Sequence, residues 1–389
     1  MVEMNPWVAG VTDPPVTISR RWLAETPPVP DRPTIELAQA APSYPPAEAL
    51  REHLAELALR PEVYGYVLGV GLEHVRAAIA EDAARAYGAV VEADDVVVTA
   101  GCNQAFCLAI GATCAAGDEV VVPIPYYFDH DMWLRAGALT PVYVPTGADF
   151  VPDPDAIAAA VTERTRAIVL VTPNNPTGAE YPAAVIGAIA EIARARDVLL
   201  ILDETYREFR EHAGPPHGEL ARDDWRDHVV HLASFSKSLA IPGARVGALL
   251  AGPALRREVA KLLDCQTICA PRAAQEAVAF GLTHLADWME ARRTEMHERV
   301  TAGRTVLADR PGGFRLGASG AFFAYVEHPF PDRAATEVAR RLLAEVGVLC
   351  IPGEAFGPGQ DRWLRLAFGN VEADLIPEVG RRFEMGGTP

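Results

Sequence analysis

The run Val229-Val230-His231-Leu232-Ala233-Ser234-Phe235-Ser236-Lys237-Ser238-Leu239-Ala240-Ile241-Pro242-Gly243-Ala244-Arg245-Val246-Gly247 joins two apolar stretches through a loop of small residues. The first apolar stretch reads as a buried strand ending at Ser234, and the second, Val246–Ala251, as another strand. Lys237 therefore stands just past a strand end. In open α/β sheets ligands bind at the strand ends. A lysine held there partly out of water has its ammonium form disfavoured, and its free amine can form a Schiff base with a carbonyl. The plainer reading is a surface lysine in a loop, so the rest of the chain has to choose between the two.

Outward from this stretch, strands and helices alternate. Apolar runs at Asp95–Thr99, Glu119–Ile124, Leu139–Val144, Ala167–Val171 and Val198–Leu202 precede it. Helical patterns fall at Asn103–Ala116, Phe128–Ala136, Pro154–Val161, Pro182–Arg196 and, less regularly, His212–Asp224. Short apolar strands separated by helices predict an α/β fold whose seven-stranded, mostly parallel sheet is covered by helices on both faces. The short link between the last two strands predicts one antiparallel strand.

Residues 1–46 are rich in proline and read as an extended N-terminal arm with one short helix near Ser19–Glu25. Helical patterns follow at Pro46–Leu59 and Glu73–Tyr87, separated by the glycine-rich, aromatic run Tyr64-Gly65-Tyr66-Val67-Leu68-Gly69-Val70-Gly71. After residue 253 a long helical stretch leads into an α+β block with an antiparallel sheet. Three parts are expected: the arm (1–46), a large domain (47–270) and a small C-terminal domain (271–389), the smaller α+β domain drawing on both chain ends.

Composition bounds the partners. The 389 residues carry a net charge of −17, which repels nucleic acid and anionic membranes. Half of the residues are hydrophobic, as in an ordinary globular protein, and no apolar run is long enough to span a membrane. The N-terminus lacks the basic start and apolar core of a signal peptide. The six cysteines form no CxxC pair. A cytoplasmic protein with reduced thiols and no metal site is expected.

Several polar groups cluster at the predicted strand ends. In Thr99-Ala100-Gly101-Cys102-Asn103 a glycine turn opens a helix, a ready place for a phosphate, although Asn103 could be only a cap. Pro125-Tyr126-Tyr127 offers an aromatic face for stacking on a flat ring, or simple packing. Asn174-Asn175-Pro176-Thr177-Gly178 is a rigid turn that could aim an amide at a ligand. Asp203 ends a fully apolar run, where a semi-buried carboxylate needs a partner, although it could also cap the next turn. In Trp363-Leu364-Arg365-Leu366-Ala367-Phe368 an arginine interrupts an alternating strand.

Taken in order, Gly101-Cys102-Asn103, Tyr127, Asn174–Gly178, Asp203-Glu204-Thr205-Tyr206, Ser234–Lys237 with Arg245, and Arg365–Phe368 resemble the class I/II aminotransferases. These are pyridoxal 5'-phosphate enzymes of amino-acid metabolism with the fold-type-I architecture of aspartate aminotransferase. The resemblance runs from about residue 35 to the C-terminus. It implies that Lys237 holds the cofactor as a Schiff base and moves the substrate proton, and that Asp203 pairs with the ring nitrogen. It implies that Asn175 and Tyr206 bond the ring hydroxyl, and that Tyr127 stacks on the ring. Gly101, Cys102, Asn103, Ser234, Ser236 and Arg245 would hold the phosphate. Arg365, with Asn175 and Ala40, would bind the substrate carboxylate. A homodimer with a shared active site is implied, Tyr66 reaching the partner's phosphate. Small-molecule amino acids and 2-oxo acids are then the substrates. Two departures stand out: Ala40 where the family usually has glycine, and Cys102 in the phosphate turn. The same residues also serve lyases, replacement enzymes, and carbon–carbon bond-forming or oxidative enzymes, some acting on S-adenosylmethionine or a similar amino acid in natural-product pathways. The non-enzymatic alternative, a cofactor-binding DNA regulator, conflicts with the charge and with the short arm.

Overall fold

The computed structural model describes residues 2–387. A short strand, β1 (Ile35–Glu36), leaves the arm, and seven strands then build the large sheet. They are β2 (Val96–Thr99), β3 (Glu119–Ile124), β4 (Thr140–Pro145), β5 (Thr165–Val171), β6 (Leu199–Asp203), β7 (Val229–Ser234) and β8 (Gly247–Leu250). Their order across the sheet is β2-β8-β7-β6-β5-β3-β4. All neighbours run parallel except β8, which is antiparallel to both β2 and β7. The predicted strands stand at nearly the predicted places because all but the edge strand β4, which is largely half-buried or exposed, are apolar runs buried on both faces. One packed cluster covers one face, with Val98, Leu170, Leu200 and Leu250, and a second covers the other, with Val97, Val122, Ile201 and Leu232.

The small sheet contains β9 (Arg315–Gly320), β10 (Phe323–Glu327), β12 (Ile351–Pro352) and β13 (Trp363–Ala367), in the antiparallel order β12-β13-β10-β9. β11 (Val348–Leu349) instead pairs in parallel with β1. Ile35 and Leu37 of the arm share a core with Leu342, Val348 and Leu366 from the C-terminal part. Burying each such side chain is worth about 1.5–3 kcal/mol, enough to tie the arm down. Helix 335–346, with Val338, Leu342 and Leu343 on one buried face, closes that core.

Two readings need correction. The expected helix over His212–Asp224 is a loop, with only short turns at Glu219–Ala221 and Trp225–His228. Gly214-Pro215-Pro216 and Gly218 break it, since proline removes donors and glycine favours irregular backbone. The arm helix starts earlier than expected, at Pro15, and runs to Glu25. Proline is well suited to that first helical position. A further helical turn, Pro6–Ala9, precedes it. Among the described residues no helix is long and apolar enough to cross a membrane.

Candidate active site

Strand register places the chemistry along one edge of the large sheet. Val171 pairs with Asp203, Asp203 with Leu232, and Ser234 with Gly247, so β5 and β6 end level and β7 runs two residues further, to Ser234. Helix 102–113 begins at that edge. A cavity of about 160 Å3 lies there, between the sheet, the arm and β13.

The cavity is lined by Ala40, Cys102, Asn103, Tyr127, Asn175, Asp203, Tyr206, Ser234, Ser236, Lys237, Arg245 and Arg365. Twelve of the residues singled out in the sequence therefore meet in one place. Gly101 is absent from the lining but sits behind it with φ +91°, a conformation that favours glycine. A Cβ there would overlap the Arg245 guanidinium, so the glycine makes room for the arginine. Tyr66 lies away from this cavity, 81% exposed, on the loop before Gly71.

Lys237 follows β7 and donates from Nζ to the Ala40 carbonyl at 2.6 Å. Burial, with the Arg245 and Arg365 charges adding to it, lowers its pKa from 10.5 to about 8. A free amine is therefore within reach near neutral pH. Arg245 holds φ +55° and donates to the Pro242 carbonyl at 3.0 Å. Ser234, Ser236, Arg245 and the start of helix 102–113 face one end of the cavity and supply several donors for an anion.

Asp203 is buried at the end of β6. Its Oδ1 accepts from the Thr205 backbone at 3.0 Å and the Thr205 hydroxyl at 2.7 Å. The Cys102 thiol lies 3.6 Å from the same oxygen. His130 Nε2 lies 3.1 Å from Oδ2. Burial pushes the Asp203 carboxyl up, but the contacts to His130 and Thr205 outweigh it and hold the group below the usual carboxylate range. Burial and the Asp203 charge raise the Cys102 thiol, so Cys102 is a neutral weak donor here.

His130 lies against Asp203 from helix 128–136. It is buried on helix 128–136 and stacks on Phe106 with ring centroids 3.8 Å apart. Asp129, one residue earlier, points differently: its Oδ2 accepts from the Tyr127 hydroxyl and the Asn103 amide, both at 2.7 Å. On the other side of β6, Glu204 accepts from Tyr87 at 2.5 Å and stands 3.0 Å from His217. Adjacent carboxylates at the end of β6 and just past it thus serve opposite sides.

Arg365 comes from the middle of β13, paired with Tyr325. It is buried and donates to Asn175 Oδ1 at 3.1 Å and to the Ala38 carbonyl. Its Nε is buried without a partner. Burial lowers its pKa to about 10, so it stays cationic. Asn175 also lies 3.4 Å from the Tyr206 hydroxyl. The loop carrying Asn175 touches β9 closely: a Cβ on Gly178 would overlap the Gly320 backbone, and the reverse also holds. This contact brings the amide and the arginine together from different sheets. Val16, Gln39 and Phe128, which the sequence did not single out, complete the wall. Nothing local marks them: Val16 and Gln39 enter through the packing of the arm, and Phe128 from the start of helix 128–136.

The aminotransferase class I and II family model matches residues 32–383. The chain is 34% identical over 320 residues to arginine–pyruvate transaminase AruH of Pseudomonas aeruginosa, covering 81% of this chain and 80% of that protein. It is 33% identical over 354 residues to the valine–pyruvate aminotransferase of Mycobacterium tuberculosis, covering 90% and 89%. The structure of Thermus thermophilus aspartate aminotransferase with maleate superposes with a TM-score of 0.89 at 26% identity, over 99% of this chain and 100% of that one. An edge-of-sheet lysine facing a buried aspartate, a clamp arginine from a second sheet, and a family match over most of the length lead to one conclusion: this chain is an enzyme of the class I/II aminotransferase family, with the aspartate aminotransferase fold.

Proposed function

We propose that this protein binds pyridoxal 5'-phosphate at Lys237 and moves an amino group between an amino acid and a 2-oxo acid. The observation that carries the reading is the convergence of Lys237, Asp203 and Arg365 on one cavity. The family is dependent on this cofactor, and the residues present fit it. A phosphate would find Ser234, Ser236, Arg245 and the helix start, with the Gly101 turn leaving room for the arginine. The ionised Asp203 would face the ring nitrogen, Tyr127 the ring, and Asn175 with Tyr206 the ring hydroxyl. When bound, the cofactor supplies an aldehyde for the amine and a protonated ring that accepts electrons.

The residues then divide the work. Arg365 binds the substrate carboxylate through its paired N–H groups, and its unpartnered Nε marks unused donor capacity. Asn175 orients Arg365 and lies beside the same carboxylate. Lys237, with its lowered pKa, would take the proton from the substrate Cα and give it up two bonds away, across the substrate nitrogen. Asp203, held by Thr205, Cys102 and His130, keeps its negative charge under burial and so would favour a protonated ring nitrogen. In the cofactor-free chain the Ala40 and Ala38 carbonyls hold Lys237 and Arg365 in place.

The exposed side chains of Tyr64, Tyr66, Leu68 and Ile268 support a homodimer with a shared site. Apolar groups gathered on one surface region favour a partner's cover. Tyr66 there is free to reach the second subunit's phosphate. Two relatives are named for pyruvate, which makes it the first acceptor to try. The test is single turnover of the cofactor-loaded protein with a panel of amino acids. The expected result is the amino form of the cofactor plus the matching oxo acid. Ammonia release, oxygen uptake or loss of a side-chain group without that amino form would overturn the reading.

A further inference from the structure

A second carboxylate separates dicarboxylic amino acids from neutral ones, so the wall facing the substrate side chain decides between them. Among this chain's own described residues, the cavity is lined on the arm side by Val16, Gln39 and Ala40, with Phe128 from helix 128–136. None carries a charge. The cations lining the cavity are Lys237, Arg245 and Arg365, and each already has a task. A further cation, Arg20, lies behind this wall. Its Nη2 donates to Gln39 Oε1 at 3.2 Å. Arg20 is exposed on the arm helix, one turn beyond Val16, and does not line the cavity.

We propose that Gln39 is a specificity-determining residue: its side chain stands between the cavity and Arg20, so the site takes amino acids and 2-oxo acids with uncharged side chains and rejects those with a distal carboxylate. This inference rests on the transaminase reading and deepens it. A distal carboxylate set against Val16 and Phe128 would lose water without gaining a counter-charge. The Gln39 amide cannot supply one, and its carbonyl is already turned to Arg20. An apolar side chain meets Val16 and Phe128 with no such loss.

The test uses the cofactor-loaded enzyme and compares kcat/KM for alanine, valine, leucine and phenylalanine with aspartate and glutamate, and for pyruvate with 2-oxoglutarate. Uncharged substrates are expected to win by on the order of 100-fold. Gln39→Ala removes the screen and should raise kcat/KM for aspartate and glutamate by about tenfold, the scale of one partly exposed arginine–carboxylate pair. Adding Arg20→Ala should abolish that gain. Such a gain cannot come from misfolding. Calorimetry with isovalerate and succinate, both unreactive, should show the same preference in wild type without turnover. Equal use of glutamate and leucine by wild type, or tighter succinate than isovalerate, would overturn the proposal. So would a Gln39→Ala variant that folds and gains nothing. If no amino acid reacts at all, the transaminase reading has failed and this proposal falls with it; if amino acids react but the dicarboxylic ones lead, only this proposal fails.

Discussion

Replacing Lys237 with methionine should make the cofactor-free protein more stable while abolishing its activity. In the folded chain, burial and two nearby arginines lower the lysine pKa from 10.5 to about 8. At about 1.4 kcal/mol per pH unit, holding the protonated amine costs the fold roughly 3 kcal/mol. This is a ceiling, because part of the side chain stays open to the cavity. Methionine removes the charge and keeps the length. It also leaves the Ala40 carbonyl without the 2.6 Å bond, at a cost of about 1 kcal/mol. The net gain at pH 7 is then about 1–2 kcal/mol, a rise of a few degrees in Tm. The sign with pH follows from the depressed value. Below about 8 the amine is protonated in both states and the folded state bears the full cost. Between about 8 and 10.5 the cost fades, because the folded lysine has already lost its proton. Wild type should therefore catch up with the variant across that window. The assay is thermal and denaturant unfolding of both cofactor-free proteins at one concentration, from pH 7 to pH 10. A variant no more stable than wild type at pH 7, or a difference that stays constant to pH 10, would refute the argument.

Arg365→Lys should lower kcat/KM about 100-fold, mainly through KM, since a point charge cannot replace a bidentate fork. The absorption of the bound cofactor should stay as in wild type; a changed spectrum with unchanged KM would remove Arg365 from the substrate side. Tyr66→Phe should weaken cofactor retention about tenfold in equilibrium dialysis, and sedimentation should show a dimer. An active wild-type monomer would end the shared-site reading.

How legible the site was depends on where each signal sits in the chain. Asp203, Ser234 and Lys237 could be read because each terminates or follows an apolar run, and parallel strands bring their ends to one edge. Glu119–Ile124 and Val229–Ser234 emerged with their expected limits for the same reason: local periodicity and burial agree there. The misread His212–Asp224 stretch shows the converse, because its glycines and prolines carried the stronger signal.

By itself, then, the sequence determined the order of strands and helices, the sheet edge where polar residues gather, and which lysine, aspartate and arginine stand ready to meet there. Those are properties of short segments, set by periodicity and by polar residues at the ends of apolar runs. Only the tertiary structure decided which neighbours tune them. Lys237 meets Ala40 across 197 positions, and Arg365 meets Ala38 across 327. His130 reaches Asp203 only because helix 128–136 packs against helix 102–113 and β4, and Gln39 screens Arg20 only because the arm folds back over the cavity. No local pattern encodes such contacts; they follow from how the arm and the two sheets bury their apolar faces against one another.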